Sequence, residues 1–102
     1  MNWYREIVAV DVDGTLTERV CWTDKEVLEA TPKQEIIDCV NKLYEKKLVI
    51  IYTARQDFLI PATLRWLRNH GVKYHAFSNQ KLPADYYLDD HAVHIDDLDK
   101  IK

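Results

Sequence analysis

The segment "VAVDVDGTLT", residues 8–17, ends an apolar run with two aspartates, Asp11 and Asp13, one residue apart, followed by Gly14. Two carboxylates at this spacing repel one another, and each is costly to desolvate. A cation or a reaction is the usual reason to keep them. A second acidic pair, Asp89 and Asp90, closes another apolar run in "YYLDD". Between the pairs lie Thr53 in "IIYTAR" and Lys81 in "NQKLPADYY". Four carboxylates, a hydroxyl and an amine are the parts needed for phosphoryl chemistry. A hard divalent cation, Mg²⁺, accepts oxygen ligands and shares a substrate phosphate while keeping several waters. One carboxylate can attack phosphorus and form an aspartyl-phosphate. A second can protonate the leaving oxygen and then activate water. A hydroxyl and an ammonium can hold the charged oxygens of the transition state.

These residues can meet only if strand ends bring them together. Residues 6–10, "EIVAV", read as a strand buried on both faces, and 47–55, "KLVIIYTAR", as a second. "KYHAF" at 73–77 and "DYYLDD" at 85–90 read as two further strands. Thr31, Pro32 and Gln34 have the layout of a capped helix start, with Ile36, Ile37, Val40, Leu43 and Tyr44 forming its apolar stripe. A second helix begins between Asp57 and Pro61 and ends at "LRNHGV", where Gly71 suits a left-handed cap and Val72 can fold back on Leu67. Alternating strands and helices predict right-handed crossovers and a parallel sheet, with ligands beyond the carboxyl ends of its strands. Asp11, Asp13, Thr53, Asp89 and Asp90 all fall at such ends.

"DVDGTLT", "YTAR", Lys81 and "YLDD" resemble, in order, the four motifs of the haloacid dehalogenase superfamily of phosphohydrolases, and span residues 7–91. The resemblance implies an α/β fold: a three-layer Rossmannoid sandwich around a small, mainly parallel sheet. It implies Asp11 as nucleophile and Asp13 as general acid and base, with the Asp13 backbone carbonyl on Mg²⁺. It implies that Thr53 binds the phosphoryl group and that Lys81 neutralises it and orients Asp11. Asp89 would complete the metal site, and Asp90 would act directly or through water. Gly14, Ala54 and Arg55 are further candidates to contact the phosphate, with Arg55 alternatively pairing with a neighbouring acid. Asp13 selects the phosphatase branch over the dehalogenases. Residues 18–30 leave room for a small flap but no cap domain, so the chain is similar to the capless members. Those act on large substrates or borrow a lid, here from a second copy of the chain. Arg19 and Trp22, in "ERVCWTD", are the candidate substrate contacts of that flap.

The 102 residues suit one domain, 1–102, with 47% apolar side chains to form its core. A net charge of −3 without a basic face disfavours nucleic acid and favours a small phosphate ester such as a sugar phosphate or nucleotide. No run is long enough to cross a membrane, the start has no signal-peptide layout, and Cys21 and Cys39 make no disulfide framework. A cytoplasmic protein with reduced thiols is expected. His91 and His94 stand beside acids but lack the spacing of a zinc site. The alternatives are a phosphatase acting on a polynucleotide end or a phosphoprotein, a non-catalytic binding module, and a receiver-like module. The last is disfavoured because receivers place their acidic pair and lone aspartate before Thr and Lys.

Overall fold

A computed structural model of the chain describes residues 5–80 and 83–88. Strand β1 (Ile7–Asp11) is followed by the short helix α1 (Asp24–Leu28) and by α2 (Gln34–Tyr44). Strand β2 (Leu48–Tyr52) leads through a 3₁₀ turn, Asp57–Leu59, into α3 (Ile60–Asn69). Strands β3 (Ala76–Ser78) and β4 (Tyr86–Leu88) complete a four-stranded sheet in the order β3-β2-β1-β4. Every pairing is parallel. The architecture is the α/β type expected, a small parallel sheet flanked by helices and compatible with a Rossmannoid three-layer core.

Branched, apolar side chains explain why β1 and β2 hold the middle of the sheet. Val8 is in register with Val49 and Tyr86, and Val10 with Ile51 and Leu88, so these six share one face. They join Ile37, Val40 and Leu43 of α2 and Trp66 and Leu67 of α3 in a single core. Steps from β1 to β2 and from β2 to β3 run in the same direction. Right-handed crossovers therefore set α2 and α3 side by side on one face. Asn41 of α2 ties them together: its Nδ2 donates to the Gly71 carbonyl at 2.9 Å and its Oδ1 accepts from the Lys73 N–H at 2.8 Å.

The C-terminal end of α3 forms as its sequence predicts. Gly71 has φ +67°, and the Val72 N–H reaches back to the Leu67 carbonyl at 3.0 Å. The start of α2 differs from expectation. Helix geometry begins at Gln34, with Lys33 as the cap residue and no side-chain cap bond. Thr31 and Pro32 are held outside it, because Pro32 bridges Thr17 and the Thr31 carbonyl accepts the Glu18 N–H at 3.0 Å. Long-range pairing has won over local capping. The strands also differ in extent, β2 stopping at Tyr52 and β3 starting at Ala76. Ahead of β3, the His75 ring has a backbone-like duty. Its Nδ1 accepts the Val49 N–H at 3.0 Å while the His75 backbone N–H donates to the Val49 carbonyl at 2.8 Å.

Candidate active site

The order of the sheet defines where a ligand belongs. From β1 the chain steps to β2 and β3, then returns to the other side of β1 as β4. The crevice beyond the carboxyl ends of β1 and β4 is thus the switch point at which open α/β sheets bind ligands. Asp11 is the last residue of β1, paired in register with Tyr52, and Thr53 is the next residue of the adjacent strand. Two of the expected groups therefore stand at neighbouring strand ends. Asp11 is half-buried, and its Oδ1 accepts the Val12 N–H at 2.8 Å. Thr53 is fully buried and its Oγ1 accepts the Arg55 N–H at 3.1 Å.

Asp13 is turned back onto the same edge by a tight turn. The Val12 carbonyl accepts from the N–H groups of Thr15, Leu16 and Thr17 at 3.2, 2.9 and 3.1 Å. Gly14, with φ +77°, provides the left-handed step that this coil needs. Thr17 accepts the Gly14 N–H and donates to the Arg19 carbonyl at 2.8 Å, and the Lys33 ammonium donates to the Gly14 carbonyl at 2.8 Å. The turn is thus held from both sides.

Arg55 gives one of the two aspartates a positive partner. Its Nε donates to both carboxylate oxygens of Asp13, at 3.1 and 3.0 Å, and its Nη2 to Oδ1 at 2.6 Å. The Arg55 side chain is 2% exposed and that of Asp13 18%, so this is an ion pair largely removed from water. Thr63 of α3 fixes the guanidinium from behind. Its hydroxyl accepts from Arg55 Nη1 at 2.7 Å and donates to the Leu59 carbonyl at 2.8 Å. Of the two duties weighed for Arg55, the pairing with an acid is the one the structure displays. Ala54, beside it, is exposed.

The flap supplies another contact to Asp13. The Cys21 N–H donates to Asp13 Oδ1 at 3.2 Å. The Cys21 thiol is buried and its pKa is pushed up, chiefly by that burial; Arg55 opposes the shift, and Asp13 and Glu26 reinforce it. Both cysteines are free thiols. Past Cys21, Thr23 caps α1, accepting the Glu26 N–H at 3.1 Å while Glu26 reaches back to its hydroxyl. Beside this flap lies a cavity of about 250 Å³ bordered by Glu18, Arg19, Cys21, Glu26 and Glu29. Trp22 is 71% exposed and so is not the packing residue that most tryptophans are.

Lys81, Asp89 and Asp90 lie outside the described residues, as do His91 and His94. Leu88 is in register with Val10, which brings the end of β4 beside the end of β1. Among the described residues, no three His, Cys, Asp or Glu side chains gather as a metal cluster. The donors present are nonetheless of the type Mg²⁺ takes: the Asp11 carboxylate and the Asp13 carbonyl. That carbonyl accepts no hydrogen bond among the described residues, whereas the carbonyls on either side of it are engaged. Sequence reasoning passed over Thr63, Cys21 and Lys33. Only Thr63 left a signal, as a polar residue in line with Leu59, Trp66 and Leu67 on the apolar face of its helix.

No protein-family model matches the chain, and no curated protein matches it. Among solved structures, the fold is similar to that of a conserved protein from Bacteroides thetaiotaomicron. The TM-score is 0.72 at 20% identity, with 97% of this chain and 93% of that one covered. It is also similar to chains from structures of a Pnkp1/Rnl/Hen1 complex, one described as an RNA repair complex. Each gives a TM-score of 0.63 at 15% identity, with 90% and 99% of this chain covered. This chain spans 32% of the length of those two. At these identities the likeness is one of fold. No helix among the described residues is long and apolar enough to cross a membrane.

Proposed function

We propose that this chain is a phosphatase that hydrolyses a phosphate monoester through Asp11. One observation carries the reading. Asp11 ends β1 at the switch point, Thr53 follows the adjacent end of β2, and Asp13 is turned back after β1 and held by Arg55. In the first step an Asp11 oxygen attacks phosphorus, the bond from phosphorus to the ester oxygen breaks, and Asp13 gives its proton to the departing oxygen. In the second, Asp13 takes a proton from water, the water oxygen attacks phosphorus, and the Asp11–phosphorus bond breaks to release phosphate. Thr53 donates to a phosphoryl oxygen. Mg²⁺, held by the Asp11 carboxylate and the Asp13 carbonyl with Asp89 and Asp90 as the remaining ligands, would neutralise phosphoryl charge. Lys81 would add a second positive charge.

In this cycle Arg55 has two claims on it. A guanidinium bonded to both Asp13 oxygens orients the carboxylate that serves as base in the second step. To donate a proton first, Asp13 must loosen from Arg55, and an arriving phosphate dianion is the competing partner for the guanidinium.

A polynucleotide end is the second reading, supported by the likeness in fold to chains of an RNA repair complex. The net charge of −3 and the three glutamates beside the flap weigh against it. The test of the phosphatase reading is turnover of p-nitrophenyl phosphate and a panel of biological esters with Mg²⁺. Wild-type turnover that Asp11→Asn lowers by about a thousandfold or more, with an unchanged metal-free melting profile, supports it. Absence of wild-type turnover on the whole panel, or full activity in Asp11→Asn, overturns it.

A further inference from the structure

Two large apolar side chains, close along the chain to groups that hold the Asp13 carboxylate, stand in solvent, and the fold gives neither a packing role. Trp22 is 71% exposed and Phe58 is 59% exposed. Each is a short step along the chain from a group bonded to one oxygen. Trp22 follows Cys21, whose N–H donates to Asp13 Oδ1 at 3.2 Å. Phe58 comes three residues after Arg55, whose Nη2 donates to that same oxygen at 2.6 Å. Both backbones are anchored. The flap is stapled by the Thr17–Pro32 bridge, and the 3₁₀ turn by Asp57, which accepts from Asn79 at 3.2 Å, and by the Leu59–Gln56 hydrogen bond. Exposed aromatic rings carried on anchored backbone, one and three residues along the chain from groups that hold the site's carboxylate, are the kind of side chain that receives a planar ring.

We infer that Trp22 and Phe58 are specificity residues that stack on the base of a nucleoside monophosphate whose phosphate sits over Asp11. The inference rests on the phosphatase reading for the position of the phosphate and deepens it by naming the substrate class. Charge around the flap selects the monomer. Glu18, Glu26 and Glu29 border the cavity of about 250 Å³ with Arg19. Their carboxylates accept from ribose hydroxyls and exocyclic amines, and they repel the additional phosphates of a polynucleotide. A sugar phosphate meets the same carboxylates but offers no ring to stack.

Calorimetric titration of the wild-type chain in Mg²⁺ buffer, with each ligand's phosphate ester replaced by its non-hydrolysable methylene phosphonate, tests this without turnover. The ligands are those analogues of adenosine 5′-monophosphate, ribose 5-phosphate and a 3′-phosphorylated hexanucleotide. The nucleotide is expected to bind about tenfold more tightly than ribose 5-phosphate, the effect of one stacked base. Trp22→Ala or Phe58→Ala should each reduce that preference severalfold and leave the ribose 5-phosphate affinity unchanged, while Trp22→Phe should restore most of it. Equal affinities for the two small ligands, no binding of the nucleotide, or a preference indifferent to both alanine variants overturns the inference. Tighter binding of the hexanucleotide overturns the choice of a monomer. Failure of the phosphatase reading shows separately, as an absence of wild-type turnover on every ester while the nucleotide preference persists.

Discussion

Asp13 and Arg55, 42 residues apart in the chain, meet in a three-bond contact in which a nearly buried guanidinium clasps both oxygens of the carboxylate. The contact joins the turn after β1 to the loop after β2, and Thr63 extends it to α3. The pair that neutralises an acid at the site is therefore also a structural tie between three elements.

Removing Arg55 should be costly for stability. Arg55→Ala leaves the Asp13 carboxylate without its partner and the Thr63 hydroxyl without its donor. A loss of about 2 kcal/mol is expected, below the 3–5 of a fully buried pair because Asp13 is partly open to water. Arg55→Lys keeps the charge but not the fork, and should recover less than half of that loss. Urea unfolding reads both, and an Arg55→Ala chain as stable as wild type would contradict the tie.

The tie was only partly legible in the sequence. Asp11, Asp13 and Thr53 were readable as strand ends because polar residues there interrupt apolar runs, and parallel topology does the rest. Gly71 and Val72 were readable because helix termination is local. Partner choice across space leaves no periodic trace, so the pairing of Arg55 with Asp13 was one of two options, and Thr63 showed only as a polar break in an apolar helix face, with nothing to name its partner. The start of α2 misled for a related reason: Thr31, Pro32 and Gln34 satisfy the local rule for a cap, but Thr17 captures Pro32. The Thr23-x-x-Glu26 box that starts α1 was in plain sight, in a polar stretch without the apolar stripe that marks longer helices.

At Gly71 the cost of a side chain is a matter of backbone alone. Its φ is +67°, and a Cβ built there meets nothing within 4 Å. Gly71→Ala should therefore lose about 1 kcal/mol, the penalty of the left-handed conformation, and Gly71→Asn about half as much. Equal stability of the alanine and glycine forms in thermal melts would show that the cap is not held in that conformation in solution.

Lys47 and Glu6 offer a pH test away from the site. The Lys47 ammonium is bonded to the Glu6 carboxylate, and that bond raises its pKa against the opposing effect of burial. A raised folded pKa means stability that is fully present below the unfolded value, near 10.4, and that disappears as pH climbs through the folded one. Glu6→Gln should accordingly unfold at lower urea than wild type at pH 8, with the gap narrowing above pH 11. A gap that stays constant across that range would show that the ammonium is not its source.

Loading with Mg²⁺ gives a readout of the proposed metal site that needs no substrate. A cation bound only by the folded chain stabilises it by RT ln(1 + [L]/Kd). At 10 mM Mg²⁺ and a dissociation constant near 1 mM, that is about 1.4 kcal/mol. For a domain of this size it raises the melting temperature by about 7 °C. Asp11→Asn removes a charged oxygen ligand and should abolish most of the rise, whereas Asp57→Asn, in the 3₁₀ turn, should keep it. EDTA should return wild type to its metal-free melting temperature and stop turnover, and added Mg²⁺ should restore both. A rise of equal size in wild type and Asp11→Asn would show that the cation binds elsewhere, and the role given to the Asp13 carbonyl would fall with it.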